Sequence, residues 1–204
     1  MIRNFKWAIS ISFVIMFCSA AFGVPTLDQR QDTQDGGTAP MSTWKMAQTF
    51  TAGITGTLDH LEIGCSSTGA TSWEIWDTTG GVPGSTVLGG VTVPDDMSTG
   101  WNTIDMSSQA ISINAGTMYA IVTYFSPGGY EYLREQFDPD SYTGGQFFYN
   151  SGGGWTVITN YFGDSGDMQF RTYVETSTIP VPGTVLLAGI GTILVGFLRR
   201  HRTI

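Results

Sequence analysis

A chain of 204 residues accommodates one domain with short appendages. Lys and Arg total 9 against 17 Asp and Glu, and the imbalance is concentrated: residues 24–178 hold every acidic residue but only Arg30, Lys45, Arg134 and Arg171, a net −13. Such an acidic body repels phosphate backbones and argues against nucleic acid as a partner, while 13% aromatic residues and 27 glycines argue against disorder and for a loop-rich β-domain with an aromatic core.

Residues 1–23 begin with Arg3 and Lys6, continue through an apolar run from Trp7 to Phe17, and end with Ala21 and Gly23 at the −3 and −1 positions of a cut before Val24. That layout predicts a secretory signal peptide, so the chain is expected to be exported. Of the two cysteines, Cys18 lies in this leader, which leaves Cys65 alone in the body and allows neither a disulfide framework nor a four-ligand zinc site. Residues 24–40 alternate Gln29, Gln31 and Gln34 with Asp28, Asp32 and Asp35 and read as a flexible lead-in.

From residue 41 to 176, short alternating or β-rich runs are separated by glycine-bearing turns. The expected strands are Lys45–Thr51, Leu58–Gly64, Ser72–Asp77, Ser85–Val93, Trp101–Met106, Met118–Phe125, Tyr130–Gln136, Gln146–Asn150, Trp155–Ile158 and Met168–Glu175. In the last run Met168, Phe170, Thr172 and Val174 share one face. Leu61, Ile63 and Cys65 share a face opposite His60 and Glu62, which makes Cys65 a small core residue rather than a nucleophile. Met118 to Val122 is apolar on both faces and belongs in the middle of a sheet. No run keeps a helical period over three turns and no strong internal repeat is visible, so the body is predicted to be all-β, a jelly-roll-like β-sandwich.

Chemistry is sparse. The body has one histidine, His60, and no Gly-x-Ser-x-Gly motif, so no hydrolytic triad can be assembled and no catalytic residue is assigned. Asp138 and Asp140, then Asp164 and Asp167, place hard oxygens in turns where Ca2+ could bind, although aspartate is also an ordinary turn residue. Trp76 shares a strand with Trp73 and Ile75 yet points to the opposite face. With Tyr130 and Tyr132 it is the candidate for an exposed aromatic patch that would bind carbohydrate.

The chain closes with residues 177–204. Pro180, Val181 and Pro182 open the uncharged run 179–198, whose 20 residues reach about 30 Å as a helix and are enough to cross a bilayer, with the membrane helix placed at 183–198. Arg199, Arg200 and Arg202 then hold that end in the cytoplasm, so the body is expected to be tethered from outside.

The three-part order of proline motif, apolar helix and arginine cluster resembles the PEP-CTERM sorting signal, with Val181 where that signal carries its central Glu and Gly183 opening the helix. The resemblance implies recognition by an exosortase, a membrane-embedded cysteine protease-transpeptidase of exopolysaccharide-producing bacteria. It implies surface or extracellular placement after processing. The body resembles the choice-of-anchor modules of such proteins, on Ala47-Gln48-Thr49-Phe50-Thr51-Ala52, Trp73-Glu74-Ile75-Trp76-Asp77, Gly81-Val82-Pro83-Gly84 and the closing Asp167-Met168-Gln169-Phe170-Arg171-Thr172-Tyr173. Together the two resemblances imply a non-enzymatic surface or matrix protein; the alternatives are a module that binds the exopolysaccharide itself and, as a distant third, a secreted hydrolase.

Overall fold

The computed structural model describes residues 23–38, 44–125, 130–137, 142–160 and 164–176. Among these residues fourteen strands run β1 Thr26–Gln31, β2 Gly36–Thr38, β3 Lys45–Thr51, β4 Gly56–Thr68, β5 Thr71–Thr79, β6 Val82–Val93, β7 Met97–Asp105, β8 Ser112–Ile113, β9 Met118–Phe125, β10 Tyr130–Gln136, β11 Phe147–Asn150, β12 Thr156–Val157, β13 Asp167–Met168 and β14 Phe170–Glu175. A 3-10 turn, Ser107–Gln109, lies between β7 and β8. These strands pair antiparallel, in two sheets. One holds β1-β14-β4-β10-β13 with β2 on β10 and both β7 and β8 on β4; the other is β12-β11-β3-β9-β5-β6.

Alternation within the strands explains how the sheets pack. Trp73 and Ile75 from β5, Met46 and Phe50 from β3 and Ile121 from β9 meet Leu61 and Ile63 from β4, Leu133 from β10 and Phe170 from β14, all at 0% exposure. The Phe50 and Phe170 rings lie 6.2 Å apart across that core. The apolar run of β9 sits between β3 and β5, as its two apolar faces require. The β5–β6 hairpin turns on Gly80 and Gly81, both at positive φ, where a side chain would be strained.

Residues 24–38 of the expected lead-in, 24–40, depart from expectation. Their composition predicts a flexible arm; instead Thr26–Gln31 is an edge strand on β14 and Gly36–Thr38 pairs with β10, so the compact unit runs Val24–Thr176. The polar sequence conceals this because an edge strand is held mainly by its backbone, and its side chains find polar partners. Gln31 is buried and donates to Gln136 at 3.0 Å, and Asp28 accepts from the Gly53 N–H at 2.8 Å. The run expected as Met168–Glu175 divides at Gln169, whose backbone N–H donates to the Arg134 carbonyl.

Polar groups also tie the two sheets together. Gln48, on β3 and fully buried, accepts from the Met168 N–H at 2.7 Å and donates to Asp167 at 2.7 Å. Replacing Gln48 with Ala takes a donor from a buried carboxylate and an acceptor from a buried N–H, which is expected to cost about 2 kcal/mol or more in urea denaturation. An unchanged midpoint would show that the clamp is dispensable. Cys65 is buried, and burial first, then the nearby Glu131, pushes its thiol up to about 12, so it stays an inert core residue. Among the described residues no helix is long and apolar enough to cross a membrane; residues 1–22 of the leader and the expected span 183–198 lie outside those residues.

Candidate functional site: the outer face of the six-stranded sheet

β5 reads TSWEIWDTT, and its β-branched and aromatic residues favour a strand. Thr71, Trp73 and Ile75 face the core, so Ser72, Glu74 and Trp76 face out. Register decides what surrounds Trp76. Ala120 lies opposite it on β9, Val122 opposite Glu74, Ala47 opposite Val122, and Phe148 opposite Ala47. These outward positions carry small or apolar side chains, all nearly inaccessible, because larger rings lie over them. Trp76, Val82, Trp155 and Val157 cover Ala47, Ala120, Val122 and Phe148 in a second apolar cluster on the outside of the sheet.

Trp155 arrives from outside the strand lattice. It follows a loop in which Gly152 and Gly154 take φ of 106° and 112°, a conformation that brings the chain back over the sheet. Its ring stands edge-on to Trp76, with centroids 6.1 Å apart and planes at 87°. Val87, which is 48% exposed, pairs with Trp76 on β6 and extends the apolar surface toward the sheet edge.

The electrostatics of the patch are closely arranged. Trp76 Nε1 donates to Glu74 at 2.7 Å, and the Tyr124 hydroxyl donates to the other oxygen of the same carboxylate at 2.9 Å. Desolvation, reinforced by the bond to Glu74, raises the Tyr124 hydroxyl above its ordinary value, so it remains a donor at neutral pH. Lys45 Nζ sits 4.5 Å from the Trp76 centroid and 4.9 Å from that of Tyr124. Glu74 thereby fixes the rotamers of two rings, and one ammonium covers part of both. The result is a set of oriented flat apolar surfaces beside a carboxylate and a cation, an arrangement suited to hydroxyl-rich rings that stack on one face and hydrogen-bond at their edges.

Trp76 therefore points outward, as its position in β5 requires. Tyr132 does not join it. Tyr132 pairs with Ser66 on the other sheet and packs against Gly37, where any Cβ would collide with the phenol. Tyr130 also lies on β10, in the eight-stranded sheet, so the three aromatic candidates form no single patch. Asp164 is exposed and exchanges hydrogen bonds with Asn160, the ordinary use of aspartate in a turn. Asp167 is buried and bound to Gln48. Asp138 and Asp140 lie outside the described residues, and among those described no group of three or more His, Cys, Asp or Glu is placed to hold a metal ion. Pro180, Val181, Pro182, Gly183, Arg199, Arg200 and Arg202 also lie outside them.

Sequence reasoning misses Lys45, Glu74, Tyr124 and Trp155 as site residues. Glu74 is within its reach, since it shares the outward face of β5 with Trp76. The others depend on strand order and on one glycine loop.

Fold and site together define a two-sheet antiparallel β-sandwich protein with a half-buried aromatic patch on one outer face. Comparison with protein-family models and with curated proteins gives no match. Among solved structures, the chain is similar to the clostridial cysteine protease Cwp84 after propeptide cleavage, with 16% identity and a TM-score of 0.57 over 75% of this chain and 40% of that one. A second structure, of the cysteine protease and lectin-like domains of Cwp84, a surface layer associated protein of Clostridium difficile, gives 16% identity and a TM-score of 0.49 over 73% and 37%. This chain spans less than half of that protein's length, and the likeness is one of fold.

Proposed function

We propose that this chain is an exported, non-enzymatic surface or matrix protein whose body, of jelly-roll type, holds polysaccharide on the outer face of its six-stranded sheet. The observation that carries the binding reading is the Trp76–Glu74–Tyr124–Lys45 cluster with Trp155 beside it. Aromatic side chains normally bury their rings in a core. Here one indole and a phenol are held on an outer face by hydrogen bonds to Glu74, and a second indole stands edge-on to the first, an arrangement that orders the rings without enclosing them. Export and surface placement rest on the leader at residues 1–23. They rest also on the tail, where an exosortase-type enzyme would act at Pro180 to Gly183 while helix 183–198 holds the membrane and Arg199, Arg200 and Arg202 remain inside. Exopolysaccharide is the natural partner of a protein delivered in that way.

Sedimentation with insoluble neutral polysaccharides tests the binding reading. The full chain should co-sediment, and Trp76→Ala should weaken retention about tenfold, the loss of roughly 1.4 kcal/mol expected when one stacking ring is removed. Equal retention of the parent and Trp76→Ala would remove this face from the function. The sorting reading is tested by the intact mass of protein recovered from its native envelope. A chain ending between Pro180 and Gly183 supports processing, and one running through Ile204 overturns it.

A further inference from the structure

The outer face of the eight-stranded sheet carries a second aromatic array that the proposed function does not use. On β4, His60, Glu62 and Ser66 point outward, since Leu61, Ile63 and Cys65 fill the core. Their cross-strand partners are Tyr173 for His60, Arg171 for Glu62 and Tyr132 for Ser66. The array is locked. Arg171 donates through Nε to Asp32 at 2.6 Å and through Nη1 to Glu62 at 2.8 Å, while its guanidinium lies 4.1 Å from the Trp101 centroid. The Tyr173 hydroxyl donates to the same Glu62 oxygen at 3.1 Å, and the His60 ring stacks on Tyr173 at 4.2 Å with 13° between the planes. Exposed ion pairs add little stability; what this network supplies is fixed orientation of Trp101 and Tyr173.

Next to Trp101 the face opens into a depression. Ser66, Ser67, Thr68, Ser98 and Thr99 line it with Asp96 and Met97, and it is an open hollow of about 450 Å³. Five of its seven lining residues are Ser or Thr, and their carbons, with those of Met97, supply most of the exposed lining between the hydroxyls. Trp101 is two residues along β7 from Thr99, and Tyr132 stands opposite Ser66, so flat rings flank a hydroxyl-lined hollow.

We infer that this face, from the Ser66–Thr99 depression past Trp101 to Tyr173, is a second glycan-binding groove that takes neutral polysaccharide. The charges of the face select that occupant. Asp32, Glu62, Asp59, Asp105 and Asp96 outnumber Arg30, Arg134 and Arg171 on this side of the sheet, so the face is net negative and disfavours anionic polymers. A basic peptide fits less well, because these carboxylates already accept internal donors: Glu62 from Arg171 and Tyr173, Asp32 from Arg171, Asp105 from Ser107, and Asp96 from the Gly69 N–H at 2.6 Å. Asp59 lies 2.6 Å from His60 Nδ1. What remains on offer is the ring faces of Trp101 and Tyr173 that Arg171 and His60 do not cover, with the Ser and Thr hydroxyls, which match the apolar faces and polar edges of uncharged sugars. Two sheets pack on the order of 10 Å apart with outer side chains pointing in opposite directions, so the two faces engage different polysaccharide strands. The body then cross-links its ligand, a step beyond single-face binding at Trp76 and resting on that reading for the cross-link alone.

The test uses the full chain with xylan, a galactomannan and a mixed-linkage β-glucan, reading both co-sedimentation and the turbidity that cross-linking produces. Polylysine serves as the basic-peptide control. On the polysaccharide that retains the parent, Trp101→Ala should lower retention about three- to tenfold and abolish turbidity. Thr99→Arg, an exposed substitution at the mouth of the depression, should do the same without depending on removal of a ring that packs on Arg171. Trp101→Ala and Thr99→Arg that bind and cross-link like the parent would overturn the second groove while leaving the Trp76 site standing. Loss of binding with these variants but not with Trp76→Ala would support the groove and overturn the Trp76 reading. No retention of the parent on any of the three would overturn both, and retention of polylysine alone, abolished by Trp101→Ala, would replace the glycan with a basic partner.

Discussion

The full chain is expected to lose stability steadily as pH rises from about 5 to about 9, and Glu131→Gln is expected to remove most of that loss. Glu131 lies on β10 with its side chain in the core, at 0% exposure, and its carboxyl has the Thr123 hydroxyl at 3.1 and 3.3 Å. Burial in these surroundings pushes its pKa from 4.5 up to about 8, with the Thr123 bond opposing part of the rise. The direction of the effect follows from proton counting. Between the two values the folded state holds a proton that the unfolded chain has lost, so unfolding releases it and becomes easier as pH rises. The stabilising contribution is complete below pH 4.5 and has been lost once the pH passes about 8. Across that window the change is roughly 3–5 kcal/mol, a large share of a domain's total. Asp28, also raised by burial, acts in the same sense but is present in both proteins. Urea denaturation of parent and Glu131→Gln at pH 5, 7 and 9 therefore isolates Glu131. Parallel curves at all three would mean that water or a rearrangement solvates this carboxylate.

Two tryptophans three residues apart should respond in opposite ways. Trp73 is wholly buried, and its indole N–H donates to the Thr71 hydroxyl at 3.2 Å. Removing it leaves a cavity in the middle of the six-stranded sheet's inner face, and Trp73→Ala is expected to cost about 3–5 kcal/mol, enough to leave much of the protein unfolded at growth temperature. Trp76→Ala loses a partly solvated ring. It should cost about 1 kcal/mol or less while weakening polysaccharide retention about tenfold. Thermal denaturation of both variants, with sedimentation of whatever remains folded, checks the pair. Comparable destabilisation by both substitutions would mean that Trp76 is a core residue of the outer cluster and not a platform.

The difference between these two tryptophans is legible in the sequence alone, because a strand has a period of two and TSWEIWDTT places positions 73 and 76 on opposite sides. The same reasoning correctly locates Cys65 and the inward face of β14. It fails for residues 24–38, where polar composition mimics disorder. An edge strand needs backbone partners more than apolar side chains, and no local pattern announces a partner 143 residues away, as between the Gln29 N–H and Thr172. Tyr132 shows a second limit. Aromatic content suggests a patch, but strand pairing puts Tyr132 and Trp76 in different sheets.

Buried chemistry is the least visible. Glu131 has the composition of a surface residue, and only the pairing of β10 with β4 and its approach to Thr123 reveal a carboxyl held in the core. Asp167, a turn oxygen by its sequence neighbours, is the buried partner of Gln48. What the sequence determined by itself is what depends on local pattern: the β class, the inward and outward faces of each strong strand, and the expectations of export carried by the two ends. Which outward residues meet is a property of strand order and register. Lys45, Tyr124 and Trp155 come from three other segments, and long-range pairing alone brings them to Glu74 and Trp76 on β5.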